Sequence, residues 1–108
     1  RVNKVGAKAY AKYEDVGTMP VGSVVAKDSF VVGPDGSVSI GPLFVMEKMA
    51  NGFSEDNWKY TMIMANGAVV GETNGKGSAM VQFCADCHMA AAGQDALFFL
   101  PDEFRARK

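Results

Sequence analysis

The chain has 108 residues, of which 48% are hydrophobic and 21% charged, and its formal net charge is -1. This length and balance predict a single domain, residues 1–108, with a modest core. No excess of positive charge points to nucleic acid as a partner, and we interpret the basic tail of Arg105, Arg107 and Lys108 as a solvated end. No uninterrupted apolar run is long enough to span a bilayer, so we expect no membrane span.

The first segment is predicted to be helical. Apolar residues recur at nearly helical spacing over residues 2–16, and Gly17 suits the end of such a helix. The chain begins at Arg1 directly with amphipathic sequence and shows no signal peptide, so we expect it to be processed or N-terminally incomplete.

The middle of the chain has the pattern of antiparallel strands. Residues 23–32 are rich in valine and predict a strand, which the turn sequence GPDG at 33–36 connects to an alternating return strand at 37–40. Residues 43–49 predict a third strand. Residues 58–64 place Trp58, Tyr60, Met62 and Met64 on one face, and the Asn-Gly pair at 66–67 favours a tight hairpin to residues 68–72.

Helical character returns after residue 77, with Ser78 as the predicted N-cap. The fold class predicted from this order is α+β, with a mainly antiparallel β-sheet, an N-terminal helix and a short C-terminal helix. That last helix carries the chemically distinctive motif of the chain.

Residues 84–88 read Cys-Ala-Asp-Cys-His. Two thiols three positions apart can reach the two vinyl groups at one porphyrin edge, and the histidine that follows can turn its imidazole under the iron. The motif predicts one covalently bound haem c, attached at Cys84 and Cys87, with His88 as the proximal iron ligand.

Two other uses of these residues fit less well. A structural zinc site needs four ligands, and the chain has only two cysteines and one histidine. A redox-active dithiol favours a βαβ context, which the pattern lacks, and has no use for His88.

The position of the motif restricts the sixth iron ligand. After His88 the only methionine is its neighbour Met89, which cannot cross to the opposite haem face. Any sixth ligand must therefore come from upstream, and four methionines are candidates: Met46, Met49, Met62 and Met64. Cytochromes c′ also carry the motif near the C-terminus, but they are four-helix bundles, which the strand pattern contradicts.

The chain resembles the cytochrome P-460 family, which includes the sheet-rich cytochromes c′-beta. The similarity extends over nearly the whole chain and rests on PVGSVVAKD at 20–28, VMEK at 45–48, NWKY at 57–60, the haem motif, Asp95 and Phe98. In the hydroxylamine-oxidising members a lysine is covalently joined to the haem edge, and Lys27 matches it. The resemblance also implies an arginine near the distal haem face, and Arg1 falls at that point.

The same resemblance leaves the distal face open to two interpretations. The hydroxylamine-oxidising members have a distal glutamate that could move protons, and with Lys48 kept in register Phe44 occupies its position. If the gap in the match to the family pattern is shifted, Glu47 falls at the position of the distal glutamate instead. A phenylalanine would make the distal side apolar, as in the cytochromes c′-beta, which bind nitric oxide and similar diatomic molecules.

Three functions follow as hypotheses. The first is an oxidoreductase acting on hydroxylamine or nitric oxide, with Lys27, Glu47 and Arg1 as catalytic candidates. The second is diatomic-gas binding on an open iron under Phe44 and Phe30. The third is an electron-transfer cytochrome with a methionine sixth ligand. We favour the first two, and we assign Trp58 and Tyr60 to core packing and Asp95 to a helix cap.

The motif and the resemblance also predict surroundings and partners. Haem c is attached outside the cytoplasm, so we expect a periplasmic or otherwise exported protein. The expected partners are small nitrogen compounds and a redox partner protein. The sheet edge and the resemblance indicate a homodimer.

Overall fold

A computed structural model describes residues 1–105; residues 106–108, which include Arg107 and Lys108 of the basic tail, lie outside the described residues. The described part contains two α-helices and six strands: α1 (Lys4–Tyr10), β1 (Val24–Lys27), β2 (Phe30–Val32), β3 (Val38–Ile40), β4 (Leu43–Lys48), β5 (Trp58–Ile63), β6 (Val69–Glu72) and α2 (Gln82–His88). Short 3-10 segments lie at Tyr13–Asp15, Ser78–Val81, Met89–Gln94 and Asp102–Phe104.

The strands form one four-stranded sheet and a separate hairpin. The sheet has the order β1-β4-β5-β6 with every pair antiparallel, while β2 and β3 pair only with each other. The predicted class is confirmed: the fold is α+β, mainly antiparallel, with a short N-terminal helix and a C-terminal helix that carries the Cys-His motif.

Strand alternation decides which side chains of the two central strands enter the core. Met46 pairs with Tyr60 and Lys48 with Trp58, so these four side chains share one face of the sheet. All four are buried, and Trp58 has no exposed surface. The core lies between this face, the chain after α1, and the segment after α2, which contributes the buried residues Ala96 and Leu97.

The first helix is shorter than predicted. The Asn3 side chain caps α1 by accepting the Gly6 N–H at 3.2 Å, and the helix ends at Tyr10. Tyr13 then takes a left-handed φ of 52°, which interrupts the helical pattern. Gly17 has the φ of 68° expected of a helix-ending glycine, but it follows a single 3-10 turn.

The strand predicted over residues 23–32 is two strands in different sheets. The chain leaves the main sheet after Lys27 and enters the hairpin at Phe30. Between them, the Ser29 hydroxyl donates to the Pro42 carbonyl at 2.5 Å, which joins the start of the hairpin to its end. Valine-rich sequence favours strand on both sides of the break, so the pattern contains no signal for it.

The approach to α2 also differs from the prediction. Gly77, with φ 72°, is the N-cap residue, and Ser78 is already inside a 3-10 segment without a side-chain cap. Gly71 of β6 lies directly against this segment, where an added Cβ would come within 3 Å of the Gly77 carbonyl carbon. A glycine is therefore required at 71 for the 3-10 segment that precedes α2 to lie this close to the sheet. None of the helices described for residues 1–105 has the length and apolar character to cross a membrane.

Candidate functional site

Helix α2 presents the three motif residues on one side. Cys84, Cys87 and His88 lie at positions i, i+3 and i+4 of the helix, which are neighbours on its surface. Cys84 and His88 are partly buried, whereas Cys87 is exposed. The two thiols are not joined to each other.

All three residues line one cavity of about 580 Å³ between α2 and the sheet. This volume is within the range of ordinary ligand pockets. Its remaining walls come from the N-terminus and α1, from β1 with the residue that follows it, from β4 and β5, and from α2 with the segment after it. The residues are Arg1, Tyr10, Val25, Ala26, Lys27, Asp28, Phe44, Val45, Met46, Tyr60, Thr61, Phe83, Leu97 and Phe98. Most of these side chains are apolar or aromatic.

The imidazole of His88 is held from one nitrogen. Its Nδ1 lies 2.5 Å from the carbonyl oxygen of Ala96, so Nδ1 carries the proton and donates it to that carbonyl. The tautomer that results leaves the Nε2 lone pair free, as a metal-ligating histidine requires. The rings of Tyr60 and Phe98 both pack against the imidazole, with centroids 5.4 and 5.0 Å from it.

Lys27 and Phe44 are neighbours on the cavity wall. They are directly paired across β1 and β4, so their side chains project from the same face, and both line the cavity. Lys27 is exposed at the mouth, whereas Phe44 is partly buried. Two residues that the sequence singled out separately thus lie side by side.

Arg1 also lines the cavity. It pairs with Ala26 of β1 through two backbone hydrogen bonds of 2.8 Å, and its guanidinium lies 3.4 Å from the Asp28 carboxylate. Both side chains of this ion pair are largely exposed, so it contributes little to stability. The ion pair is relevant to the site because both of its residues line the cavity.

Two proposed distal residues lie elsewhere. Glu47 is not among the lining residues, because alternation along β4 turns it away from the face that carries Phe44 and Met46. Phe30 lies in the separate hairpin and is 68% exposed. The carboxylate that does line the cavity is Asp28, which sequence reasoning passed over because an unbroken strand would have pointed it away.

Of the four methionines predicted as possible sixth ligands, one lines the cavity and three do not. Met46 lines the cavity, while Met49, Met62 and Met64 are not part of its wall. Met46 is also buried in the hydrophobic core.

Tyr60 is a neutral hydrogen-bond donor beneath the cavity. Burial raises the pKa of its hydroxyl, and donation to Asp56 Oδ2 at 2.6 Å raises the pKa further. The assignment of Tyr60 and Trp58 to core packing agrees with their burial, although Tyr60 also reaches the cavity.

Asp95, which we assigned to a helix cap, is the C-cap residue of a 3-10 segment and not the N-cap of a helix. It follows the 3-10 segment Met89–Gln94 and has a left-handed φ of 55°. Its carboxylate forms a buried ion pair with Lys48, with Oδ1 and Nζ 2.7 Å apart. Nothing in the local sequence indicates this partner, which lies 47 positions away.

The donor set fits a haem better than the two alternatives. Among residues 1–105 no group of three or more His, Cys, Asp and Glu side chains is arranged to hold a metal ion, which disfavours zinc. Burial raises the pKa of the Cys84 thiol, the opposite of what a reactive dithiol needs. A free Nε2, two thiols on the same helical side and a largely apolar cavity suit a porphyrin attached along α2.

Comparison with known proteins gives one match. The family model described as Cytochrome P460 matches residues 2–99. No curated protein and no solved structure matches the chain.

Proposed function

The chain belongs to the cytochrome P460 family and is thus a cytochrome-type haem protein, and on this basis we propose that it carries one haem c. The haem is attached through thioethers to Cys84 and Cys87, and His88 Nε2 is the proximal iron ligand. The observation that carries this assignment is the hydrogen bond from His88 Nδ1 to Ala96, because it leaves Nε2 free beside both thiols.

Covalent attachment is tested by extraction. We expect acid-acetone to leave the haem with the wild-type polypeptide and to release it when Cys84 and Cys87 are both replaced by Ala. Either single replacement should leave one thioether, visible as a shift of the pyridine haemochrome spectrum. His88→Ala is the matched control, since it removes the ligand and keeps both attachment points. Haem extracted from the wild-type protein would contradict the proposal.

We propose that the haem binds small nitrogen compounds, namely hydroxylamine or nitric oxide, and takes part in their redox chemistry. The bound haem supplies an iron that exchanges single electrons and accepts a small ligand. Phe44 gives part of the wall an apolar surface that admits a diatomic molecule. Asp28, which lines the cavity where Glu47 does not, is the proposed proton acceptor, and the Arg1 guanidinium lies 3.4 Å from its carboxylate.

Electron transfer with a methionine sixth ligand is the alternative, and Met46 is the residue that supports it. Its side chain lines the cavity, so it is the candidate on the wall. It is also packed in the core beside Tyr60, and buried methionine more often fills a core than binds a metal. We therefore favour an open distal position.

Carbon monoxide separates the two. An open site predicts that the reduced wild-type protein binds carbon monoxide readily, and that Met46→Leu, which conserves volume, changes the affinity less than threefold. A methionine ligand predicts instead a low-spin reduced spectrum that carbon monoxide does not change, with binding gained in Met46→Leu. The second result would establish the alternative.

Lys27 is proposed to form a third covalent link, from Nζ to the edge of the haem. Support comes from its place on the cavity wall beside Phe44, across the cavity from α2. Such a bond replaces one hydrogen on Nζ and one on the porphyrin ring, so its formation is a two-electron oxidation. It therefore requires an oxidant such as dioxygen or peroxide.

Mass spectrometry decides this point. We expect a peptide containing Lys27 to be bridged through haem to the peptide of residues 84–88, with a mass two hydrogens below the sum of the parts. Lys27→Arg keeps the charge but should abolish the bridge and change the optical spectrum. Lys59, which pairs with Glu72 away from the cavity, provides the control as Lys59→Arg. Unmodified Lys27 in protein with full haem content would contradict the link and favour gas binding.

We propose an exported, periplasmic location, since haem c is attached outside the cytoplasm. A redox partner protein would dock near the motif end of the cavity, where Cys87 is exposed. A partner that docks here would lie next to an attachment point of the haem.

A homodimer is proposed through the β2–β3 hairpin. Phe30 pairs with Ile40 and Val32 with Val38, so one face of the hairpin carries four apolar side chains, each at least 60% exposed. A two-stranded hairpin is barely stable alone in water. A second copy of the same face would cover it symmetrically.

Sedimentation analysis tests the dimer. We expect the wild-type protein to sediment as two chains. Ile40→Lys should weaken association tenfold or more, about 1.4 kcal/mol, because it places a charge on the apolar face at its most exposed side chain. Ser39→Lys lies on the opposite face of the same strand and should leave the mass unchanged. A wild-type monomer at all concentrations would overturn the proposal.

A further inference from the structure

The turn after α2 has an unusual backbone. Asp95 and Ala96 are consecutive non-glycine residues in the left-handed region, with φ of 55° and 60°. Side chains with a Cβ disfavour this conformation, which persists only when surrounding contacts impose it. The turn matters because Ala96 supplies the carbonyl that accepts from His88 Nδ1.

Asp95 is held by three separate contacts. Its Oδ1 accepts from Lys48 Nζ at 2.7 Å, its Oδ2 from the Met19 N–H at 2.7 Å, and its backbone carbonyl from Trp58 Nε1 at 2.8 Å. The three donor residues are 5% exposed or less. Both carboxylate oxygens and the backbone carbonyl of Asp95 are therefore engaged, which fixes the side chain and the peptide bond at the same time.

Lys48 is itself fixed within the same group. Its Nζ donates to the Asp56 carbonyl at 3.0 Å and lies 4.9 Å from the centroid of the Trp58 ring. Burial of an ion pair costs desolvation, so such a pair is not explained by stability alone. The contacts around it are consistent with a role in specifying geometry.

We propose that Lys48, Asp95 and Trp58 are positioning residues for the proximal histidine. They hold the left-handed turn so that the Ala96 carbonyl points at His88 Nδ1. The hydrogen bond raises the electron density at Nε2, since a donor N–H held by an acceptor makes the imidazole a more basic ligand. The inference rests on the proposed function, because it concerns His88 as the iron ligand.

Resonance Raman spectroscopy of the reduced holoprotein, together with its midpoint potential, tests the proposal. Trp58→Phe keeps an aromatic ring but removes the N–H that holds the Asp95 carbonyl. Asp95→Asn keeps the shape of the side chain but removes the charge that faces Lys48. Both variants should shift the iron–histidine stretch to lower frequency and raise the midpoint potential, because Nδ1 loses its acceptor.

Controls separate positioning from general destabilisation. Lys59→Met breaks the partly exposed Lys59–Glu72 pair on the same sheet and should leave both signals unchanged. Lys48→Arg keeps the positive charge and should shift the signals less than Lys48→Met. If Asp95→Asn does not fold, Trp58→Phe alone decides.

Two negative outcomes are distinguishable. Variants that bind haem and lose thermal stability, yet keep the wild-type stretching frequency and potential, would overturn the positioning role and leave the proposed function intact. A wild-type protein whose haem is not ligated by His88, judged by an unchanged spectrum in His88→Ala, would overturn the proposed function itself.

Discussion

The contacts of Asp95 join the parts of the molecule that must meet for the site to exist. Its carboxylate binds the backbone just after the N-terminal helical region at Met19 and the side chain of Lys48 at the end of β4. Its carbonyl accepts from Trp58 at the start of β5. Each partner lies in a different stretch of chain, so the segment after α2 is fixed against the sheet at one residue. The orientation of His88 depends on that attachment.

Features that arise from neighbouring residues could be predicted from the sequence. The alternation at residues 58–64 correctly placed Trp58 and Tyr60 on the buried face, and the Asn-Gly pair at 66–67 correctly marked a hairpin. The Cys-His motif lies on a helix as expected. These predictions succeed because side-chain period and turn chemistry are local properties.

Features that depend on contacts between distant parts of the chain could not be predicted from the sequence. The chain leaves the main sheet at residues 28–29, and Asp28 at this break lines the cavity although strand alternation would have turned it away. The partner of Asp95 could not be predicted either, because the sequence around an aspartate does not indicate which distant lysine will pair with it. Lys27 and Phe44 were each singled out by resemblance, but only strand register shows that they are adjacent.

The long separations at Asp95 have a consequence for folding. The partners Met19, Lys48 and Trp58 lie 76, 47 and 37 positions from it, whereas His88 and Ala96 are only eight apart. Closing long loops is the slow and entropically costly part of folding. The short contact can form early, but its final direction is set only when the long ones close. His88, the proposed iron ligand, therefore acquires its native alignment only when these long loops have closed, and amide exchange around Ala96 should follow global unfolding rather than local fraying.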